Sequence, residues 1–180
     1  MNKANDEIEL KKKEGYIMGN YTIEEKESFT VFGLGTELKS HYTDFAGINK
    51  EKLDFWQAAS KDGRLDSLKD IATNDYIFAV NEAVNNKMMF YAGVMTEASA
   101  PASASEGSRV IQFPKGEYLV VKGEGNTTDE LNIKLAGIAF GQVLPEAKNF
   151  AYVGGPNASV MMGQENGLVF GEMWIPVVRK

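Results

Sequence analysis

Cysteine is absent from the 180-residue chain, and His41 is its only histidine. Without thiols the chain forms no disulfide, binds no metal through thiolates and has no cysteine nucleophile. A single histidine excludes a multi-histidine metal centre and argues against a Ser-His-Asp triad. We therefore assign His41 no role, and we expect neither a metal site nor a cofactor.

Basic residues are fewer than acidic ones, 19 against 25, and the formal net charge is −6. This balance disfavours the phosphate backbone of a nucleic acid and an anionic membrane as partners. No stretch approaches the roughly 20 apolar residues of a membrane span, and the first residues lack the apolar core of a signal peptide. We expect a cytoplasmic protein without direct contact to nucleic acid or membrane.

The hydrophobic share of 43% suits one globular domain with a sizeable core. We expect residues 1–20, which are polar, to be an extension and residues 21–180 to form the domain. Inside it the element order strand, helix, hairpin occurs twice, over residues 21–97 and 108–180. No residue-by-residue repeat accompanies this order, so the duplication is inferred from the elements alone.

The first half contains several local signals for its elements. Gly33 and Gly35 interrupt a β-branched and aromatic run, which predicts a strand with a bulge. Asn49 is suited to cap a helix that Gly63 ends, and Asn85-Asn86 is suited to turn a hairpin.

The second half follows a small and polar segment from Ala98 to Ser108, which is typical of a flexible connection. Two strand arms then flank a turn or bend at Pro114-Lys115-Gly116. Thr127 or Thr128 caps a second helix that Pro145 stops. The whole predicts an α+β fold, a tandem repeat of strand-helix-strand-strand with two helices on one side of curved antiparallel half-sheets and a ligand groove where they meet.

The closing strand places an acid between two aromatic residues. Because side chains alternate along a strand, Phe170, Glu172 and Trp174 share one face. A carboxylate among apolar rings is costly to bury unless a cation or water pairs with it. Two interpretations stay open: a binding surface, or an acid that points to solvent from a half-exposed sheet.

Other aromatic residues are candidates for the walls of such a surface. Tyr91 and Tyr118 lie on predicted strands, where each offers a flat ring and a hydroxyl donor. Trp56 lies on the apolar stripe of the first helix, where it is either core or a ligand contact at the base of the groove.

Five segments carry a resemblance to a known family. They are Val31-Phe32-Gly33-Leu34, Phe55-Trp56, Tyr91-Ala92-Gly93-Val94, Phe113-Pro114-Lys115-Gly116-Glu117-Tyr118 and Gly171-Glu172-Met173-Trp174-Ile175-Pro176-Val177. Together they resemble the GyrI-like effector-binding family, from about Tyr21 to Lys180. Members are ligand-sensing halves of AraC-type and MerR-type regulators or free-standing domains. The resemblance implies a twofold repeat, a concave groove, and Glu172 as the glutamate that meets cationic or hydrophobic ligands.

The functional prediction follows from that resemblance. We expect a free-standing domain that binds a small hydrophobic molecule, aromatic or cationic, through Glu172 and aromatic walls, as a sensor or by sequestering a drug. One alternative is a hydrolase of strained, cyclopropane-bearing electrophiles, in which Glu172 is catalytic. Another is a protein-interaction module of gyrase-inhibitor type, whose partner the sequence does not identify.

Overall fold

The structure is a computed structural model that describes residues 21–97 and 107–180. The expected extension over residues 1–20, and nearly all of the expected connection between the halves, lie outside these residues. The described residues form the predicted α+β fold. It is built on one open antiparallel sheet of eight strands, and a second sheet has two short strands.

The elements have the following bounds. The large sheet contains β1 (Tyr21–Lys26), β2 (Phe29–Glu37), β3 (Ile77–Val84), β4 (Lys87–Thr96), β5 (Ser108–Phe113), β6 (Gly116–Gly125), β8 (Asn157–Glu165) and β9 (Leu168–Pro176), and the small sheet pairs β7 (Phe150–Ala151) with β10 (Val178–Arg179). The helices are α1 (Phe45–Lys61), α2 (Arg64–Ser67), α3 (Thr128–Ile138) and α4 (Leu144–Glu146), with a 3₁₀ turn at Leu68–Ile71 and a π-helical turn at Ala139–Val143. No helix in the described part of the chain is long and apolar enough to cross a bilayer.

In the large sheet, corresponding strands of the two halves lie at equal distances from the centre. From one edge the strand order is β1-β6-β9-β8-β3-β4-β2-β5. β3 and β8, the first strands of the large sheet after the helical segments of the two halves, pair at the centre. β1 pairs with β6, and β5 pairs with β2, so each half contributes its first strand to the other half. The two expected half-sheets are therefore one continuous sheet, and the superposition of the halves stays a prediction.

Of two expected local features, one is present and the other was wrong. The chain bends at Lys115 as expected, and the strands on either side of Pro114-Lys115 do not pair with each other, so this segment is a crossover between sheet positions. Gly33 and Gly35 form no bulge, because β2 pairs with β4 over eight consecutive residue pairs. A bulge occurs between Met161 and Gly163 in β8.

The first helix begins earlier than its sequence signals indicated. α1 starts at Phe45, and the Asp44 carboxylate caps it by accepting a hydrogen bond from the Gly47 N–H at 3.0 Å. The expectation that Asn49 is the cap was therefore wrong. Gly63 follows the end of α1 with a φ of +83°, a conformation that glycine adopts without strain, as expected.

The second long helix begins where the sequence indicated. Thr127 caps α3 by accepting a hydrogen bond from the Glu130 N–H at 3.2 Å. The helical path then widens into the π-helical turn before α4, which contains Pro145. The stop at Pro145 is confirmed to within one residue, since α4 ends at Glu146.

The two faces of the large sheet are covered differently. On one face β6 packs Leu119 and Val121 against Leu131 and Leu135 of α3. The same face of β2 packs Phe32 and Leu34 against Leu68 in the 3₁₀ turn, so both helical segments lie on one side. We call the opposite side the inner face; it carries eleven buried residues, namely Val31, Phe78, Val80, Tyr91, Ile111, Phe113, Tyr118, Val120, Ala158, Val160 and Trp174.

The large sheet curls around its inner face. β2 and β9 are four strands apart, which in a flat sheet corresponds to about 19 Å. The ring centroids of Phe29, at the start of β2, and Trp174, on β9, are nevertheless 5.6 Å apart. The inner face is therefore concave, and residues from distant strands meet across it.

Candidate functional site

Glu172 lies on the inner face in the middle of β9. Its neighbours in register are Lys122 on β6 and Val160 on β8. The side chain is 17% exposed, and its Oε2 accepts a hydrogen bond of 2.6 Å from Nε1 of Trp174. Lys122 Nζ is 3.9 Å from Oε1, but the Lys122 side chain is largely exposed. One carboxylate oxygen is thus held by the indole, and the other has only a distant, solvated cation.

Trp174 contacts charges of both signs. While its N–H bonds Glu172, its ring face carries the ammonium of Lys26, with Nζ 4.0 Å from the ring centroid. The rings of Phe29 and Phe78 meet the indole edge to face, at 5.6 and 5.7 Å. The indole is 5% exposed, so Lys26 and these rings cover it. Because this ring face holds an ammonium, it has the electrostatics that an organic cation in place of Lys26 would require.

Tyr91 is buried in the other half of the inner face. Its ring lies over Gly35, where a Cβ would overlap the ring, and its Cβ approaches Gly33. Burial raises the pKa of the Tyr91 hydroxyl, Arg109 lowers that pKa and Glu82 raises it. The glycines that the sequence marked as a bulge therefore make room for an aromatic ring.

Tyr118 and Phe170 differ in their access to solvent. Tyr118 is fully buried, and its hydroxyl donates a hydrogen bond of 2.6 Å to the Pro114 carbonyl oxygen. Burial raises the pKa of Tyr118 to about 12. Phe170 is 38% exposed and covers Gly163, two positions before Glu172 on the same face. Phe170 is open to a ligand, whereas Tyr118 is part of the packed core.

Trp56 lies on the other side of the sheet. It is half-buried in a cluster with Leu38, Ala79 and Phe90, and its ring centroid is 6.4 Å from that of Phe90. Ala79 and Phe90 point away from the inner face, because Val80 and Tyr91 next to them point towards it. The structure therefore does not bring Trp56 together with Glu172 and Trp174.

The model of the Cass2 family, integron-associated effector binding proteins, matches residues 22–177. The chain belongs to this family. The predicted GyrI-like effector-binding domain is confirmed. No curated protein sequence matches the chain.

Three solved structures share the fold of this Cass2-family chain. SAV2435, solved bound to tetraphenylphosphonium, is 18% identical with a TM-score of 0.69, over 88% of this chain and 93% of that chain. The integron cassette protein VCH_CASS2 of Vibrio cholerae is 13% identical with a TM-score of 0.58, over 88% and 96%. The C-terminal domain of EcmrR is 11% identical with a TM-score of 0.53, over 89% and 98%. At these identities the likeness shows the fold alone.

Sequence reasoning missed a second acid on the inner face of this Cass2-family domain. Glu82 on β3 has a side chain only 14% exposed and forms a two-pronged ion pair with Arg109 of β5, at 2.9 and 3.1 Å. Arg109 is opposite Gly33 of β2 in register. The alternation of β3 could have predicted this acid, since Glu82 follows Phe78 and Val80 on the same face of the strand.

Flexible thioethers line the rim of the inner face. Met89, Met95 and Met162 are partly buried and pack against the aromatic cluster. Methionine side chains adjust their shape and contact aromatic rings favourably, which suits a surface that must accommodate an apolar guest. The Cass2-family domain therefore combines a carboxylate, an indole and an adaptable apolar rim on one face.

An open cavity of about 570 Å³ lies apart from the Glu172 side of this Cass2-family domain. It is bounded by the 3₁₀ turn, the loop after it and the adjoining parts of β3 and β4, including Leu68, Tyr76 and Gly93. None of the six site residues expected from the sequence lines it. We place the candidate site at Glu172 and Trp174 because charge and aromatic surface meet there.

Proposed function

We propose that the chain binds small, hydrophobic organic cations on its inner face, with Glu172 as the charge partner. The observation that carries the proposal is the contact set of Trp174, whose N–H bonds the Glu172 carboxylate while its ring face holds an ammonium. A carboxylate beside such a ring favours a cation both by charge and by the ring quadrupole. A sensing or sequestering role requires only this binding.

The apolar surroundings support a ligand that is large and hydrophobic. Phe170 and the three methionines form an exposed or partly buried rim next to the buried aromatic cluster. Tetraphenylphosphonium, which the fold relative SAV2435 holds, has this chemistry, one delocalised positive charge surrounded by aromatic rings. We therefore choose tetraphenylphosphonium as the probe.

The proposal is tested by isothermal titration calorimetry of tetraphenylphosphonium against the wild type and Glu172→Gln. The substitution preserves the shape and the acceptor for the indole N–H but removes the charge. We expect the affinity for the cation to fall by about 1–3 kcal/mol, and the affinity for neutral triphenylphosphine oxide to change little. Glu124→Gln is the matched control, because Glu124 is exposed on the neighbouring strand and opposite Phe170 in register.

Equal losses in Glu172→Gln and Glu124→Gln would show that only the overall charge of the domain matters. Unchanged binding of the cation by both variants would contradict the proposal. The hydrolase and the protein-interaction alternatives stay predictions, with no contact that favours them. Mass analysis of mixtures with cyclopropane-bearing compounds separates the hydrolase, since only turnover gives a product with one added water.

A further inference from the structure

Lys26 occupies the aromatic surface that a cationic ligand would use. It is the last residue of β1, and its Nζ is 4.0 Å from the centroid of the Trp174 ring. No carboxylate among the described residues lies within ion-pair distance of this ammonium. Its principal partner is therefore the indole face, next to the bond between Trp174 and Glu172.

The corner that carries Lys26 covers the inner face. Two residues, Glu27 and Ser28, separate β1 from β2, and Phe29 then follows as the first residue of β2. Phe29 stacks on Phe113 at 4.5 Å and meets Trp174 edge to face. Lys26 and Phe29 thus approach Trp174 together, from the two ends of one short corner.

We propose that Lys26 is an internal cation that selects the ligands of this site. A guest that stacks on the face of Trp174 covered by Lys26 must displace the Lys26 ammonium into solvent. An organic cation then restores the positive charge beside the indole and Glu172, whereas a neutral guest leaves the ring and the carboxylate without it. The inference rests on the proposed function and adds a selection rule: the ligand is a single, weakly hydrated positive charge on an apolar body.

The test compares Lys26→Met, Lys26→Arg and Lys115→Met with the wild type. Methionine keeps the length of the side chain but removes its charge, and arginine keeps a cation over the ring. Lys115 is the matched control, because it lies at the facing β5–β6 corner, is exposed and pairs with Glu27 at 3.3 Å instead of covering a ring. Tetraphenylphosphonium and neutral triphenylphosphine oxide are titrated calorimetrically into each protein.

We expect Lys26→Met to bind tetraphenylphosphonium about 3- to 30-fold more tightly than the wild type, which corresponds to about 0.7–2 kcal/mol. Lys26→Arg should bind no more tightly than the wild type, and Lys115→Met should resemble it. Triphenylphosphine oxide should also bind more tightly to Lys26→Met, and to no other variant, because neither guest then has to displace an ammonium from the ring.

The possible results separate this inference from the function on which it rests. The role of Lys26 is overturned, and the proposed function is left intact, if the affinity for tetraphenylphosphonium is lower in Glu172→Gln than in the wild type but the same in Lys26→Met. An equal gain in Lys26→Met and Lys115→Met also overturns that role, because net charge then explains the effect. Binding by Lys26→Met alone supports the inference, and no binding by any of the proteins overturns both.

Discussion

Trp174 connects an acid and a base that do not touch each other. The edge of an indole is positive and its face is negative, so the N–H binds the Glu172 carboxylate while the face holds the Lys26 ammonium. Glu172 and Lys26 are therefore coupled through one ring. A change at either residue should alter how the ring receives a third, external charge.

At the residue scale, the sequence predicted the face of each strand residue better than its exposure. Alternation along β9 places Glu172 and Trp174 on one face, which the contacts of the two side chains bear out. Alternation says nothing about Lys26, whose contact depends on the curl that brings the β1–β2 corner over β9. Alternation also allowed Tyr118 to be a wall of the binding groove. In the structure the Tyr118 hydroxyl instead donates a hydrogen bond to the Pro114 carbonyl oxygen inside the core.

Trp56→Ala should reduce stability and leave ligand binding intact. Trp56 is half-buried against Phe90 on the helix side of the sheet. We expect the free energy of unfolding to fall by about 2–3 kcal/mol, less than the 3–5 kcal/mol typical of a fully buried aromatic residue. Urea denaturation measures the loss, and calorimetry below the unfolding range should give an unchanged affinity for tetraphenylphosphonium. A selective loss of affinity in a variant of normal stability would place Trp56 in the site after all.

At the element scale, local sequence signals predicted turns within a half, but they did not predict which strands pair between the halves. Asn85 and Asn86, both at positive φ, make the tight turn between β3 and β4 that the sequence indicated. The partners of β1 and β5 are far away in the chain, and no local pattern specifies them. The same limit applies to Gly33 and Gly35, whose missing side chains are explained only by a ring on another strand.

Gly35→Ala should destabilise β2 through the ring of Tyr91. The new Cβ would overlap that ring, so either the tyrosine or the strand must move. We expect a loss of about 1–3 kcal/mol in the free energy of unfolding, as in other overpacked cores. Gly137→Ala in α3 is the control, because its Cβ meets nothing within 4 Å. That variant should gain about 0.5–1 kcal/mol from helix propensity. Thermal denaturation of both measures the contrast, and equal shifts would mean that Tyr91 yields without cost.

At the scale of the whole molecule, a chain of polar side chains joins the two halves on the helix side. Lys52 of α1 donates a hydrogen bond of 2.6 Å to Asn81 of β3, and Asn81 donates one of 2.9 Å to Asn157 of β8. Asn157 in turn donates to the Tyr152 hydroxyl at 3.2 Å. Asn81 and Asn157 are register partners in the central strand pair. This series of hydrogen bonds therefore crosses the boundary between the halves. The element order predicted two halves but not the polar residues that join them.

Lys52 should make the stability of the domain depend on pH. Burial lowers its pKa to about 8 in the folded protein, from an unfolded value near 10.5. Between these values the unfolded chain binds more protons than the folded one, so the free energy of unfolding rises with pH. The destabilisation by the buried charge is fully present below pH 8 and disappears as the pH approaches 10.5.

The measurement is urea denaturation of the wild type, Lys52→Met and Lys61→Met from pH 7 to 9.5. Relative to Lys52→Met, the wild type should gain about 2 kcal/mol over this range, because the methionine carries no proton to lose. Losing the hydrogen bond to Asn81 gives Lys52→Met an offset that does not change with pH, so the slope carries the information. Lys61 is exposed at the end of the same helix, so the free energy of unfolding of Lys61→Met should change with pH in parallel with that of the wild type. Parallel curves for Lys52→Met and the wild type would show instead that the Lys52 ammonium is as well solvated in the fold as in the unfolded chain.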